Sequence, residues 1–189
     1  GTSLAKAWRT LSHAARVARP GHTVYVTAGE YAQALVPAAS GTADQPIRFL
    51  RYGRDRVVLD GQSRLPVGVD LTGRSHVEVC GLVIRRFTRG GVAAREGNDL
   101  KIRQAIIAGS EGDGARFSAV TGLVFDHNLV RGSRGAGLYV ENCPQANVTG
   151  NVFDVGGGSK LVYDAATLDG LWSDGNAFAP DAGQQVRVT

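Results

Sequence analysis

The sequence predicts an all-β fold: a single right-handed parallel β-helix with a short N-terminal capping helix. Three observations predict it. Apolar residues recur every 23 positions over the last two thirds of the 189-residue chain, each recurrence opens a short alternating run, and asparagine returns at one place in successive periods. Repeats of this length, each too short to bury a face alone, form solenoids by stacking.

The elements follow in chain order. Ala5 to Ala18 carries Trp8, Leu11, Ala14, Ala15 and Val17 at helical spacing, and Pro20-Gly21 ends the run. Laid across the open end of a solenoid, such a helix covers both the core and an unpaired strand edge. Less regular early coils occupy 21–66, with strands at Thr23–Val26, Ile47–Phe49 and Val57–Leu59. Regular coils fill 67–189, so the whole chain is one domain. Their first strands open at Val69, Val92, Ala115, Leu138 and Leu161, and each carries a second inward residue two positions on: Leu71, Ala94, Phe117, Val140 and Tyr163. Such alternation is that of a strand with one face buried. Second strands centre on Val77–Val79, Leu100–Ile102, Leu123–Phe125 and Ala146–Val148, and third strands on Ile84, Ile107, Val130, Phe153 and Phe178. Asn128, Asn151 and Asn176 stand between second and third strands, where stacked amides can donate to one neighbour and accept from the other. The last strand, Val186–Thr189, starts a coil and stops. We therefore expect the chain to be part of a longer one, its C-terminal edge covered by further chain or another subunit.

Composition narrows the function. The chain has 26 glycines, no methionine, 43% hydrophobic and 20% charged residues and a net charge of +4. No apolar run is long enough to span a membrane. The missing methionine, without a basic-then-apolar leader, reads as a mature or excised fragment. Basic excess fits an acidic partner. Arg51, Arg54, Arg56, Arg85, Arg86 and Arg89 scatter over different turns with few aromatics between them; this argues against nucleic acid and for solvated turn arginines. Cys80 and Cys143 fall almost three coils apart, about 14 Å, too far for a disulfide.

The residues also resemble a known superfamily. The opening Gly1-Thr2-Ser3, Ala7–Leu11, Ala18–Val26 and Gly29-Glu30-Tyr31 looks like that of secreted bacterial β-helix proteins. Ser40–Ile47 followed by Val58–Ser63 is similar to the early coils of alginate-lyase-type polysaccharide lyases, and Asp113-Gly114 with Phe125–Asn128 looks like a coil of pectate lyases. The resemblance to the pectate-lyase-like superfamily implies a secreted or cell-surface bacterial protein acting on an acidic polysaccharide. It implies a cleft along the first sheet, an Arg or Lys base, and calcium on the substrate carboxylate.

Columns one period apart supply candidates for that chemistry. The outward column of the first strands reads Asp70, Ala93, Arg116, Tyr139, Val162 and Arg187; the next reads Thr72, Arg95, Ser118, Glu141, Asp164 and Thr189. Just before the strand core come Gly68, Gly91, Gly114, Gly137 and Lys160, expected to leave a bare surface against which a polymer lies close to the backbone. Arg116 or Lys160 is the candidate base and Tyr139 the acid. Arg95, Arg187 and Asp70 are candidate substrate contacts, and Glu141 with Asp164, in adjacent coils, a candidate calcium pair. His127 falls at the turn beside the asparagines and reads as structural. The expected function is a lyase cleaving a uronate-containing polymer by β-elimination. The alternative is a non-catalytic β-helix serving as a carbohydrate-binding or surface-structural module.

Overall fold

The computed structural model describes residues 3, 6–156, 158–180 and 185–189, and within them the chain winds into a parallel β-helix of about seven turns. Gly1, Thr2 and Ala5, which the sequence reading places in the opening stretch and the cap helix, lie outside the described residues.

One helix, Leu11–Val17, precedes the coils. It is shorter than the spacing predicts because Thr10 is extended and caps it, its hydroxyl accepting from the His13 N–H at 3.2 Å. Trp8 therefore stands outside the helix, 43% exposed. Leu11, Ala15 and Ala18 pack into the main core, so the helix does cover one end of it.

Among the described residues nineteen strands follow, all paired in parallel, in three ladders. The first holds Val67–Asp70, Leu138–Glu141, Leu161–Tyr163, Val186–Val188 and the opening parts of two longer strands, Gly90–Arg103 and Asp113–Thr121. The second runs from Thr23–Val26 to Trp172–Asp174 and the third from Gly29–Tyr31 to Ala177–Phe178. Register is that of the period: Val69 pairs Val92, Val92 pairs Ala115, Ala115 pairs Leu138 and Leu138 pairs Leu161. Inward residues from all three ladders, Phe117, Phe125, Phe153, Ile84 and Leu100 among them, reach full burial, while Val24 and Phe178 near the two ends are partly buried.

The first two ladders fuse into one twelve-stranded sheet. Gly90–Arg103 turns the corner without breaking, pairing with Val67–Asp70 before the bend and Ser75–Cys80 after it. The corner between the first and second ladders carries two left-handed residues in each coil: Gly73, Glu96, Ala119 and Asn142 form one column, and His76, Asp99, Gly122 and Gln145 another.

The asparagine ladder is present. Asn128 donates to Asn151 Oδ1 at 3.1 Å and Asn151 to Asn176 Oδ1 at 2.9 Å, while the Ala105 N–H donates to Asn128 Oδ1 and closes the top. Cys80 and Cys143 are free thiols, and burial pushes both up from the ordinary thiol value.

Candidate functional site

The outward column of the first ladder is in the expected register, Asp70 beside Ala93, then Arg116, Tyr139, Val162 and Arg187. Within it one cluster forms. The Arg116 guanidinium carbon lies 3.8 Å from the centre of the Tyr139 ring. Its Nη1 is 3.2 Å from Asp113 Oδ2 and its Nη2 3.7 Å from Glu141 Oε2. A cation on an aromatic face between two carboxylates is both oriented and partly neutralised. Ser118 reaches Glu141 at 3.5 Å from the preceding coil.

Asp113 is the member that sequence reasoning missed. Its three-residue separation from Arg116 puts the two on opposite faces of a regular strand. Asp113 sits where the strand leaves the corner, so the alternation has not yet begun. Its Oδ1 accepts the N–H of Ala136, one period on, at 2.8 Å, a contact that no pattern in the sequence marks.

Other candidates go elsewhere. Lys160 is wholly buried and its ammonium donates to the carbonyl of Ala179, just beyond the third ladder. It points into the coil and does not share a face with Tyr139. The glycines of its column point inward as well. A Cβ on Gly91 would lie 2.3 Å from Ile107 Cγ2, one on Gly114 2.3 Å from Val130 Cγ1, and one on Gly137 2.8 Å from Phe153 Cδ1. The expected bare outer surface is thus a tight inner corner, where third-ladder side chains fill the space a Cβ would need.

Asp164 is committed to its own turn. Burial works against its charge, yet hydrogen bonds from the Thr167 hydroxyl and from the Asn142 and Thr167 N–H groups outweigh this and hold the carboxyl below the ordinary value. Its Oδ1 is crowded by hydrogen donors and Glu141 faces Arg116, an arrangement that does not suit a calcium cage. Among the described residues no group of three His, Cys, Asp or Glu could hold a metal. Asp70 accepts from the Thr72 N–H at 3.0 Å, closing a local turn. Arg95 is exposed beside Ser118 in the coil before Arg116, and Arg187 is exposed beyond the buried Val162.

Two of the turn arginines are not solvated in the expected way. Arg85 and Arg86 both bond the fully buried carboxylate of Asp60, Arg85 Nε at 2.7 Å from Oδ2 and Arg86 Nε at 2.9 Å from Oδ1, and Arg85 also reaches Glu30 at 2.9 Å. His127 stays beside the asparagines, bonded to Asp126 at 2.7 Å and away from the first ladder.

A family model matches this architecture. The family model described as "Right handed beta helix region" matches residues 65–178, more than half the chain, and the chain belongs to that family. Over 58 residues it is 41% identical to the uncharacterized protein YwoF of Bacillus subtilis (strain 168), a match covering 31% of this chain and 12% of that protein. Among solved structures, a GH136 lacto-N-biosidase from Eubacterium ramulus is 13% identical with a TM-score of 0.49, matched over 98% of this chain and 53% of its own. An alginate lyase from Paenibacillus sp. str. FPU-7 is 17% identical with a TM-score of 0.39, over 92% and 72%. The chain thus spans about half the length of the first of these structures. No described helix is long and apolar enough to cross a membrane.

Proposed function

We propose that this β-helix protein binds a uronate-containing polysaccharide along its first ladder and cleaves it by β-elimination outside the cell. The carrying observation is Arg116, stacked on Tyr139 on the outward face. A guanidinium fork suits a carboxylate. Neutralising the uronate carboxylate acidifies the hydrogen on the adjoining ring carbon. Tyr139, beneath the cation, moves that proton: the carbon–hydrogen bond breaks, a carbon–carbon double bond forms, the glycosidic bond breaks, and the proton ends on the departing oxygen. This reading gives Tyr139 the base role the sequence suggested for Arg116 or Lys160. Lys160 faces inward, and Arg116, between Asp113 and Glu141, is better suited to hold charge than to take a proton. Arg95, Asp70 and Arg187 extend the strip to neighbouring sugars.

A second reading, binding without cleavage, is favoured by that same double carboxylate contact, which occupies both carboxylates of the cluster with holding the cation. An ultraviolet assay for unsaturated uronate on alginate, pectate and glycosaminoglycans, with and without calcium, separates the two. Wild-type protein yields product, Tyr139→Phe lowers the rate about 100-fold while still binding, and Arg116→Ala loses binding. Binding without product leaves the second reading; neither binding nor product on any polymer overturns both.

A further inference from the structure

We propose that Arg116 is held by a fixed partner, Asp113, and an exchangeable one, Glu141, and that the substrate's carboxylate displaces Glu141 while Asp113 stays. This rests on the uronate reading above and assigns two residues to its control. The two carboxylates are built differently. Asp113 is pinned: Oδ1 accepts the Ala136 N–H at 2.8 Å and only Oδ2 faces Arg116. Room for it depends on Gly135, since a Cβ there would lie 2.4 Å from Asp113 Oδ1. Its side chain is 20% exposed. Glu141 has twice that exposure at 44%, stands further off at 3.7 Å and is steadied by one long contact from Ser118.

A guanidinium offers five donors, so it can keep Asp113 and still present a free edge to a second carboxylate. An exposed glutamate at 3.7 Å is a weak ion pair that a better-aligned carboxylate replaces with little loss. Glu141 leaves Arg116 only for another carboxylate, so polymers lacking one have nothing to exchange for it. Asp113 is thus a positioning residue: it keeps the long Arg116 side chain over Tyr139, where free rotation would otherwise be lost on binding.

The two substitutions have opposite signs. Glu141→Gln binds a hexameric oligouronate several-fold more tightly than wild type in calorimetry. Asp113→Asn keeps an oxygen for Ala136 but weakens the ion pair, and binds about tenfold more weakly. A readout independent of polymer accompanies them: the side-chain protons of Arg116 show an upfield ring-current shift from Tyr139 in NMR spectra, retained in Glu141→Gln and lost in Asp113→Asn. If Asp113→Asn keeps the shift, the anchor is wrong, whatever the polymer does. If wild type binds oligouronate and Glu141→Gln binds no tighter, the exchange is wrong. If wild type binds no oligouronate while Asp113→Asn loses the shift, the exchange falls with the uronate reading and the anchor stands.

Discussion

Asp60 is the residue whose charge is most exposed to test. Its carboxylate is fully buried, and although burial alone would raise its pKa, hydrogen bonds from Arg86, the Gln62 N–H and Arg85 hold it well below the ordinary carboxylate range. A carboxyl depressed in the folded state contributes stability above its unfolded value near pH 4, and that contribution is lost as pH falls through the folded value. Wild-type stability to urea therefore declines from about pH 5 downward, and Asp60→Asn flattens part of that decline. At pH 7 Asp60→Ala also lowers stability, because Arg85 and Arg86 lose the carboxylate they share, Arg85 keeping only Glu30. Urea titrations across that range check both. The sequence showed the Asp60-Gly61-Gln62-Ser63 loop but not its partners. Arg85 and Arg86 are about one coil away, and nothing local distinguishes a clamped arginine from a solvated one.

At the scale of elements, the corners decide what a side chain meets. Each asparagine between second and third ladders spends its whole amide: Asn151 donates to the Phe125 carbonyl and Asn176 and accepts from the Asn128 N–H and side chain. Asn151→Ala strands these groups in a dry interior, and chemical denaturation should show a loss of about 3 kcal/mol. The other corner is governed by volume. Gly114→Ala brings a methyl within 2.5 Å of the Gly137 carbonyl as well as Val130, so it loses about 1–3 kcal/mol or distorts two coils. Melting temperature and near-ultraviolet circular dichroism measure that cost. The asparagine column was legible because amides announce their use. The glycine column was legible as a column yet pointed the wrong way, since strict alternation does not extend into a corner.

Over the whole molecule, stability is a sum over stacked coils with nearest-neighbour coupling. The two tryptophans report opposite ends, Trp8 before the cap helix and Trp172 in the second ladder near the last coil. With single-tryptophan variants Trp8→Phe and Trp172→Phe, the Asn151→Ala substitution shifts the unfolding midpoint seen by Trp172 more than that seen by Trp8. Equal shifts at both ends would mean one cooperative unit instead of a chain of coils.

The 23-residue period by itself determined the fold, because register in a parallel solenoid is the period: residues one repeat apart must stack, and Asp70, Ala93, Arg116, Tyr139, Val162 and Arg187 do. Side-chain direction was equally determined wherever the chain runs as regular strand. Only the tertiary structure decided the rest. It turned Lys160 and the glycines inward, since third-ladder residues define what space a corner has. It also joined Asp113 to Arg116, since a residue leaving a corner has not yet taken a face. The candidate site is thus half a matter of periodicity and half of corner geometry, which is set by contacts between coils and not by any run of neighbouring residues.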